Sequence, residues 1–297
     1  MITQKISLIL AILFFYFQSF SQAPQIEWQK CLGGMGWDKA ASIQQTTDGG
    51  YIVAGYNTSS NDGDVIGNHG GYDFWVVKLD DTGSITWQKS LGGTDFDVAS
   101  SIQQTADGGY IVAGYTASND GDVTGNHGDY DIWVVKLNST GAITWQKCLG
   151  GTSFDGREEG GWDDGGKNTS IQQTTDGGYI VAGHTLSNDG DVTGNHGYSD
   201  IWVVKLDATG NIIWQKCLGG GIQEEVHSIQ QTTDGGYIVA GYTWSNDGDV
   251  TGNPVGSGIW VVKLDAVGNI IWQKHLGGTD WEEACSIRQT TDGGYKP

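Results

Sequence analysis

Short runs of β-branched and aromatic residues alternate along the chain with clusters of Gly, Asp, Asn and Ser. In one stretch four such runs follow each other, at residues 101–105, 110–115, 131–137 and 143–147. Runs of this length and composition, bounded by turn-forming residues, are typical of β-strands. No sustained helical period accompanies them, and the 49 Gly residues would make helices costly. The pattern therefore predicts an all-β protein.

The same four runs return along the sequence with a period of about 58 residues. The tripeptide Trp-Gln-Lys marks this period and begins at Trp28, Trp87, Trp145, Trp214 and Trp272. Within a unit, Gly-containing turns at 106–109 and 138–141 suit tight antiparallel reversals, because Gly supplies positive φ values. We predict a β-propeller of four-stranded antiparallel blades, forming a single repeat domain over residues 22–297.

Four units are complete, and a fifth stops at Tyr295, where the other units continue Tyr-Ile-Val-Ala-Gly. Residues 26–32 are predicted as a lone fourth strand and residues 284–290 as a lone first strand. Together they could close an incomplete fifth blade that lacks its two middle strands. The interpretation we prefer is a fragment of a larger propeller, because an open ring would leave exposed sheet edges. An insertion in the third unit, at 156–166, is predicted to be a mobile surface loop.

The units resemble the tandem repeats of a family of secreted bacterial β-propeller proteins, the delta-60-repeat type found in surface or exported proteins of Bacteroidetes-like bacteria. The segments that carry the resemblance are Asp-Gly-Gly-Tyr-Ile-Val-Ala-Gly, Ile-Trp-Val-Val-Lys-Leu-Asp and Ile-Trp-Gln-Lys-Cys-Leu-Gly-Gly. The resemblance covers nearly all of residues 26–295. It implies export and a surface or extracellular role, and it implies no known reaction.

The first 21 residues have the pattern of a secretory signal peptide. Lys5 precedes an apolar run at 6–17, and a short polar stretch follows at 18–21. The apolar run is shorter than the ~20 residues that span a bilayer as a helix, and no second hydrophobic stretch follows, so no transmembrane segment is predicted. We expect a chain that is secreted or located at the cell surface.

The charge balance narrows the choice of partner. The chain has 15 Lys and Arg against 35 Asp and Glu, a formal net charge of -20. Proteins that bind nucleic acid or anionic membranes present clustered Lys and Arg, so neither is expected as a partner. The expected partner is neutral, cationic or a metal ion. With 13 Trp and 12 Tyr the chain can still bury a core.

An acidic segment, Ser-Asn-Asp-Gly-Asp, recurs in the four complete units. Carboxylates at alternating positions on a Gly-rich loop are the oxygen ligands that Ca²⁺ prefers. The predicted Ca²⁺ ligands are Asp62, Asp64, Asp120, Asp122, Asp189, Asp191, Asp247 and Asp249. The spacing differs from that of an EF-hand and lacks the final bidentate Glu. The alternative is a solvated loop whose side chains cap their own backbone.

Aromatic residues supply the candidates for ligand binding. Four of them share one position, five residues after the Leu of Leu-Gly-Gly, and a fifth lies in the insertion. The candidates are Trp37, Phe96, Phe154, Trp162 and Trp281. Rings beside carboxylates and amides suit glycan recognition, because a ring offers an apolar face while Asp and Asn accept hydroxyl hydrogen bonds. The alternative is that these rings attach the connection to its blade. The Trp of Ile-Trp-Val-Val-Lys-Leu is interpreted as core between blades.

The four cysteines are predicted to be free and mostly buried thiols. Three of them, Cys31, Cys148 and Cys217, occupy one repeat position, and Cys285 lies elsewhere in the unit. Equivalent positions of different blades should lie further apart than the Cα separation of about 7 Å beyond which no disulfide forms.

No catalytic motif stands out. His69, His127 and His196 recur in Asn-His-Gly and are interpreted as shaping a loop. A propeller glycoside hydrolase would need one acid with a raised pKa beside an ionised one, and near-identical blades do not supply that asymmetry. We therefore expect a non-catalytic binding or adhesion module for glycan or surface polymer. A structural spacer is the alternative, and a glycoside hydrolase is less favoured.

Overall fold

The computed structural model describes residues 25–58, 61–157, 169–252, 257–277 and 284–296. These residues form an all-β structure, and none of them lies in a helix. Among them there is accordingly no helix with the length and apolarity needed to cross a membrane. Four four-stranded sheets and a final two-stranded hairpin are present. Each four-stranded sheet is antiparallel with its strands in chain order, so the predicted repeated four-stranded unit is confirmed.

The strands are as follows. Sheet 1 contains β1 (Asp38–Gln45), β2 (Tyr51–Thr58), β3 (Tyr72–Leu79) and β4 (Ile85–Leu91). Sheet 2 contains β5 (Asp97–Gln104), β6 (Tyr110–Thr116), β7 (Asp131–Leu137) and β8 (Ile143–Leu149). Sheet 3 contains β9 (Thr169–Gln173), β10 (Tyr179–Thr185), β11 (Asp200–Leu206) and β12 (Ile212–Leu218). Sheet 4 contains β13 (Glu224–Gln231), β14 (Tyr237–Thr243), β15 (Gly258–Leu264) and β16 (Ile270–Leu276). The hairpin contains β17 (Arg288–Gln289) and β18 (Tyr295–Lys296).

The first strand of a unit begins earlier than predicted. β5 starts at Asp97 because a β-bulge between Ala99 and Ser101 lets the strand continue its pairing with β6. The same bulge occurs in sheets 1 and 4. The sequence pattern hides this extension, because the bulge interrupts the alternation of polar and apolar side chains.

In each four-stranded sheet, the Asp-Gly-Gly turn is held by a buried lysine from the third strand. In sheet 2, Nζ of Lys136 lies 2.9 Å from the carboxylate of Asp107, and Lys136 is buried. Gly108 in this turn has a φ of 79°, a conformation that Gly adopts without strain. In sheet 1, hydrogen bonds from the side chains of Thr46 and Lys78 lower the pKa of Asp48 to about 2. The Lys of Val-Val-Lys-Leu thus pairs with the Asp of the turn.

The core lies between the facing sides of successive sheets. Between sheets 2 and 3, Ile111 and Val134 of sheet 2 belong to one apolar cluster with Val181 and Trp202 of sheet 3. Trp202 is fully buried, and its indole N–H donates to Oε1 of Gln215 (2.6 Å). Equivalent bonds are made in the other three sheets. The recurring Trp is therefore core, as predicted, and the Gln of Trp-Gln-Lys satisfies its one polar atom.

A ladder of glutamine side chains joins the first strands of successive sheets. The backbone N–H of Gln104 donates to Oε1 of Gln44 (2.6 Å), and Oε1 of Gln104 accepts from the backbone N–H of Thr47 (2.8 Å). The same two bonds recur between sheets 2 and 3 and between sheets 3 and 4. Another pair joins sheet 4 to Gln289. The segment Ser-Ile-Gln-Gln-Thr thus ties the units together along their first strands.

The N-terminal segment packs on the side of sheet 1 that faces away from sheet 2. Residues 26–32 are not a strand, which corrects the prediction; none of the described strands pairs with them. The ring of Trp28 still packs against Tyr51, with centroids 5.5 Å apart. Ile43 on this side is 62% exposed, whereas the equivalent Ile102 is 5% exposed. This side of sheet 1 therefore lacks the cover that sheets 2 to 4 receive from the preceding sheet.

The fifth unit is represented by the hairpin of β17 and β18. The first strand predicted at 284–290 is shorter than expected and is paired, since β18 lies beside it. Ala284 and Ile287 pack against Ile238 and Ala240 of sheet 4. The hairpin thus covers part of the last sheet.

All four cysteines are free thiols. Cys148 and Cys217 are buried, and burial raises the pKa of the Cys217 thiol to about 12. Cys31 and Cys285 are exposed, so the expectation that the thiols are mostly buried holds for two of the four.

Candidate binding grooves between successive sheets

The acidic loops lie beside the connection that arrives from the preceding sheet. The carboxylate of Asp120 accepts hydrogen bonds from the backbone N–H (2.8 Å) and the hydroxyl (2.9 Å) of Thr94. Asp189 makes the same two bonds with Thr152. Asp62 accepts one hydrogen bond from the backbone N–H of Met35, and Asp247 accepts one from the backbone N–H of Gly221. The first Asp of each loop thus braces a neighbouring segment rather than its own backbone.

The second Asp of each loop lies against the Leu-Gly-Gly segment. The backbone N–H groups of Asp64, Asp122, Asp191 and Asp249 all donate to a Gly carbonyl there, at 2.8–3.0 Å. Within the described ranges, no group of three or more His, Cys, Asp or Glu side chains is arranged to hold a metal ion. The assignment of these eight aspartates as Ca²⁺ ligands stays a prediction.

The aromatic candidates make local contacts. Phe96 packs against Tyr72 with centroids 4.9 Å apart, and Phe154 stacks on Tyr130 at 5.3 Å. Trp37 is 79% exposed, and its backbone N–H donates to the hydroxyl of Thr58 (2.6 Å). Trp162 and Trp281 lie outside the described residues. Phe96 and Phe154 therefore contact a Tyr at the start of the third strand of the preceding sheet or directly before it. The assignment of the aromatic candidates to ligand binding stays a prediction.

Arg157, at the start of the insertion, was not singled out in the sequence. Its guanidinium lies over the rings of Tyr130 (4.8 Å) and Tyr115 (5.6 Å), and it donates to the hydroxyl of Tyr130 (2.6 Å). Cation–π contacts of this kind are favourable. Residues 158–168, which hold most of the predicted insertion at 156–166, lie outside the described ranges.

Histidines held by buried aspartates recur in sheets 1 to 3. Nδ1 of His196 lies 2.6 Å from Oδ2 of Asp200, and the same oxygen accepts from the backbone N–H of His196 (3.2 Å). Asp200 is fully buried. His127 is held by Asp131 in the same way. Because Nδ1 bonds the carboxylate, each ring is oriented with Nε2 pointing away from it.

Two of these histidines, His127 and His196, line equivalent grooves. The groove between sheets 2 and 3 has a volume of about 460 Å³, and the one between sheets 3 and 4 about 440 Å³. The first is lined by Thr124, Gly125, His127, Gln146, Lys147, Cys148, Leu149, Asp191, Gly210, Asn211 and Ile212. The second is lined by the same positions one unit later: Thr193, Gly194, His196, Gln215, Lys216, Cys217, Leu218, Asp249, Gly268, Asn269 and Ile270. Each groove therefore presents one imidazole, one carboxylate, amides and an ammonium group.

Of the predicted site residues, Asp191 and Asp249 line these grooves. The His, Gln and Lys members were missed as binding residues, although their signal was in the sequence. His lies four residues before an Asp in three units, and Gln-Lys follows each marker Trp. What the sequence did not reveal is that these two segments meet a loop of the next unit.

A buried acid anchors the connection that leaves each of sheets 1 to 3. Oδ2 of Asp155 accepts from the backbone N–H of Gly151 (2.7 Å) and from the hydroxyl of Ser187 (2.8 Å), and Oδ1 accepts from Thr185. Burial raises the pKa of Asp155 to about 6, against the effect of these hydrogen bonds. Burial raises the pKa of Asp97, its equivalent in sheet 2, to about 6 as well.

We expect the protein to be more stable at pH 4–5 than at pH 7. A carboxyl whose pKa is raised on folding stabilises the folded state below its unfolded value of 3.8, and this contribution is lost as the pH rises to about 6. The whole contribution of each carboxyl is about 3 kcal/mol, of which about 2 kcal/mol is lost between pH 4–5 and pH 7. Burial lowers the pKa of His184 to about 4, so this residue offsets part of the gain as the pH falls below 6.5. Below pH 4 the stability should fall again, because the lowered pKa of Asp48 acts in the same direction as that of His184. Thermal unfolding across pH 3–8 measures this profile.

The control for this pH profile is Asp155→Asn, which removes one titrating group. Its unfolding temperature should change less between pH 4 and pH 6 than that of the unmodified protein, whatever its absolute stability. A stability that rises steadily from pH 4 to pH 7 would contradict the assignment.

Comparisons with known proteins add little to this picture. No family model matches the chain, and no curated protein matches it. A structure of a protein of unknown function from Bacteroides caccae matches with a TM-score of 0.30 and 13% identity, covering 80% of this chain and 81% of that one. Sqt1 from Chaetomium thermophilum matches with a TM-score of 0.31 and 12% identity, covering 84% of this chain and 75% of that one. Similarity at this level carries no argument about function.

Proposed function

We propose that this protein is a non-catalytic, exported binding module for a neutral glycan or surface polymer, and that it binds in the grooves between successive sheets. The observation that carries the proposal is the equivalence of the two grooves, which use the same lining positions. Equivalent sites at successive repeats suit a ligand that is itself repetitive. Linked sites bind a polymer more tightly than either site alone.

The chemistry of the lining favours hydroxyl groups as the ligand. In the first groove, the Asp191 carboxylate accepts hydrogen bonds and Lys147 donates them. The amide nitrogen of Asn211 donates to Asp207 and Thr209, which leaves its Oδ1 to accept from a ligand. These groups match a polyol, whose hydroxyls both donate and accept. The net charge of -20 opposes polyanions, so a neutral polymer is favoured over an acidic one.

For the arrangement of the sheets we propose a β-propeller. Two observations support it: successive sheets pack face to face, and the glutamine ladder joins their first strands, as expected if these strands surround a common axis. The resemblance to delta-60 repeats, and with it the export inferred from residues 1–21, belongs to the same proposal. Residues 1–24 lie outside the described ranges.

A structural spacer without a ligand is the second candidate. It is favoured by the use of Asp120, Asp189, Phe96 and Phe154 in contacts within the protein. Under this function the recurring polar residues would serve the fold, and the grooves would hold only solvent.

A binding experiment separates the two functions. The probe is a panel of neutral polysaccharides, glucans, mannans and galactans, with matched short oligosaccharides, assayed by affinity electrophoresis and calorimetry in EDTA. Asp191→Ala removes a groove carboxylate and should weaken polymer binding by at least about tenfold, because one of two linked sites is lost. The effect on a short oligosaccharide should be smaller, since the groove lined by Asp249 remains.

The matched control is Asp81→Ala, which makes the same charge change at an exposed turn residue outside both grooves. It should bind like the unmodified protein. If none of the polysaccharides binds, or if both variants weaken binding equally, the groove proposal fails and the structural spacer remains.

A further inference from the structure

We propose that His196 and Asp249 form a binding site for a divalent transition metal of the zinc type, bridging sheets 3 and 4. Nε2 of His196 lies 3.9 Å from Oδ2 of Asp249, and both residues line the groove between these sheets. The site differs from the predicted Ca²⁺ sites in its ligands, because imidazole suits zinc whereas Ca²⁺ takes oxygen ligands.

A hydrogen bond at Nδ1 orients the imidazole of His196 so that Nε2 can bind a metal. Its Nδ1 is bonded to the fully buried carboxylate of Asp200, which leaves the lone pair of Nε2 directed into the groove. A carboxylate behind a histidine in this way fixes the tautomer and raises the basicity of the coordinating nitrogen, as around zinc-binding histidines. Oδ1 of Asp200 is also buried and has no hydrogen-bond partner among the described residues, so the hydrogen bonds that these residues make to this carboxyl group are the two from His196 to Oδ2.

The carboxylate of Asp249 lies on the opposite side of the groove from His196. The backbone of Asp249 is fixed on both sides of its Cα, because its N–H donates to the Gly219 carbonyl (2.8 Å) and its carbonyl accepts from the side chain of Gln273 (2.6 Å). The side chain remains 33% exposed. Zinc bonds of about 2.0–2.2 Å in a tetrahedral site separate two ligand atoms by about 3.4 Å, so a small rotation of Asp249 brings the pair to coordination distance.

The surrounding charges favour a cation. His196 faces Asp200 on its own sheet, and it faces Asp249 and Glu224 on sheet 4. Lys216 on β12 is the one cationic side chain among the residues that line this groove. Two protein ligands leave the remaining positions to water or to a ligand, so we expect moderate affinity rather than that of a structural zinc site.

The repeat provides its own comparisons. The groove between sheets 2 and 3 carries His127, Asp131 and Asp191 at the equivalent positions, so it is expected to be a second, similar site. The fourth unit has Pro254 and Gly258 in place of His196 and Asp200, and no such site is expected there.

The test is calorimetric titration with ZnCl₂ at pH 7.5, without glycan, in a full chain carrying Cys31→Ser and Cys285→Ser so that exposed thiols do not bind the metal. His196→Gln and Asp249→Asn should each weaken zinc binding at one site by at least about tenfold. Asp200→Asn should weaken it by about 10–100-fold without touching the metal, as outer carboxylates do. Lys216→Gln, in the same groove, should not weaken it.

Several results would overturn the proposal. One is the absence of zinc uptake at millimolar concentration, which would leave His196 and Asp249 as an ion pair between the sheets. Another is unchanged zinc binding in both His196→Gln and Asp249→Asn. Because Asp249→Asn keeps the size of the side chain, it tests the site even if the buried variant Asp200→Asn fails to fold. The glycan assay is run in EDTA, so either proposal can fail alone.

Discussion

Trp202→Ala should lower the free energy of unfolding by about 3–5 kcal/mol, the range measured for large aromatic residues removed from a core. Trp202 is fully buried between sheets 2 and 3, and the surrounding strands are paired on both sides and cannot collapse into the space. The substitution also leaves Oε1 of Gln215 without the indole donor. Equilibrium unfolding in guanidinium chloride measures the change.

Trp37→Ala is the matched control for this prediction. Trp37 is 79% exposed, so its removal should change the free energy of unfolding by no more than about 0.5 kcal/mol. If both substitutions cost the same, the assignment of the recurring Trp to the core between sheets would be wrong. A loss of glycan binding in Trp37→Ala without a loss of stability would support the predicted role of this ring in ligand binding.

Local features were predictable because each is specified by adjacent residues. The Asp-Gly-Gly turn, the strand Ile-Trp-Val-Val-Lys-Leu and the core position of its Trp follow from turn chemistry and from the repetition of apolar positions. The pairing of Lys136 with Asp107 was not predicted, although both residues recur in every unit. It depends on how the second and third strands pair, and hairpin register brings together residues that are far apart in sequence.

The grooves were harder to predict, since each combines two units. His127 and Asp131 are close in the sequence, but Asp191 reaches them from the next sheet. Single residues at a repeat position say nothing about which residues of the following unit lie opposite. The glutamine ladder was not predicted for the same reason, because Gln44 and Gln104 belong to different sheets. The turns and the core Trp within a unit could thus be predicted from the sequence. Contacts between units depend on how the sheets pack, which the sequence of one unit does not show.

Gly114 occupies a position at which the backbone of the neighbouring strand leaves no room for a side chain. It lies in β6 opposite the bulge of β5, where the two backbones approach closely. A Cβ placed on Gly114 would lie 1.9 Å from the carbonyl oxygen of Val98 and 2.8 Å from the Cα of Ala99. These are backbone atoms of a paired strand, so no side-chain rotation can relieve the clash. Gly55 and Gly241 meet the same atoms in sheets 1 and 4.

Gly114→Ala should therefore lower the free energy of unfolding by about 3 kcal/mol or more, at the upper end of the cost of overpacking, because the bulge must separate from its partner strand. Gly258→Ala is the control: the nearest atom to its added methyl group is 3.4 Å away, an ordinary contact. That variant should be as stable as the unmodified protein or slightly more stable. Denaturant unfolding compares the two, and equal stability of Gly114→Ala and Gly258→Ala would contradict the close approach of β5 and β6.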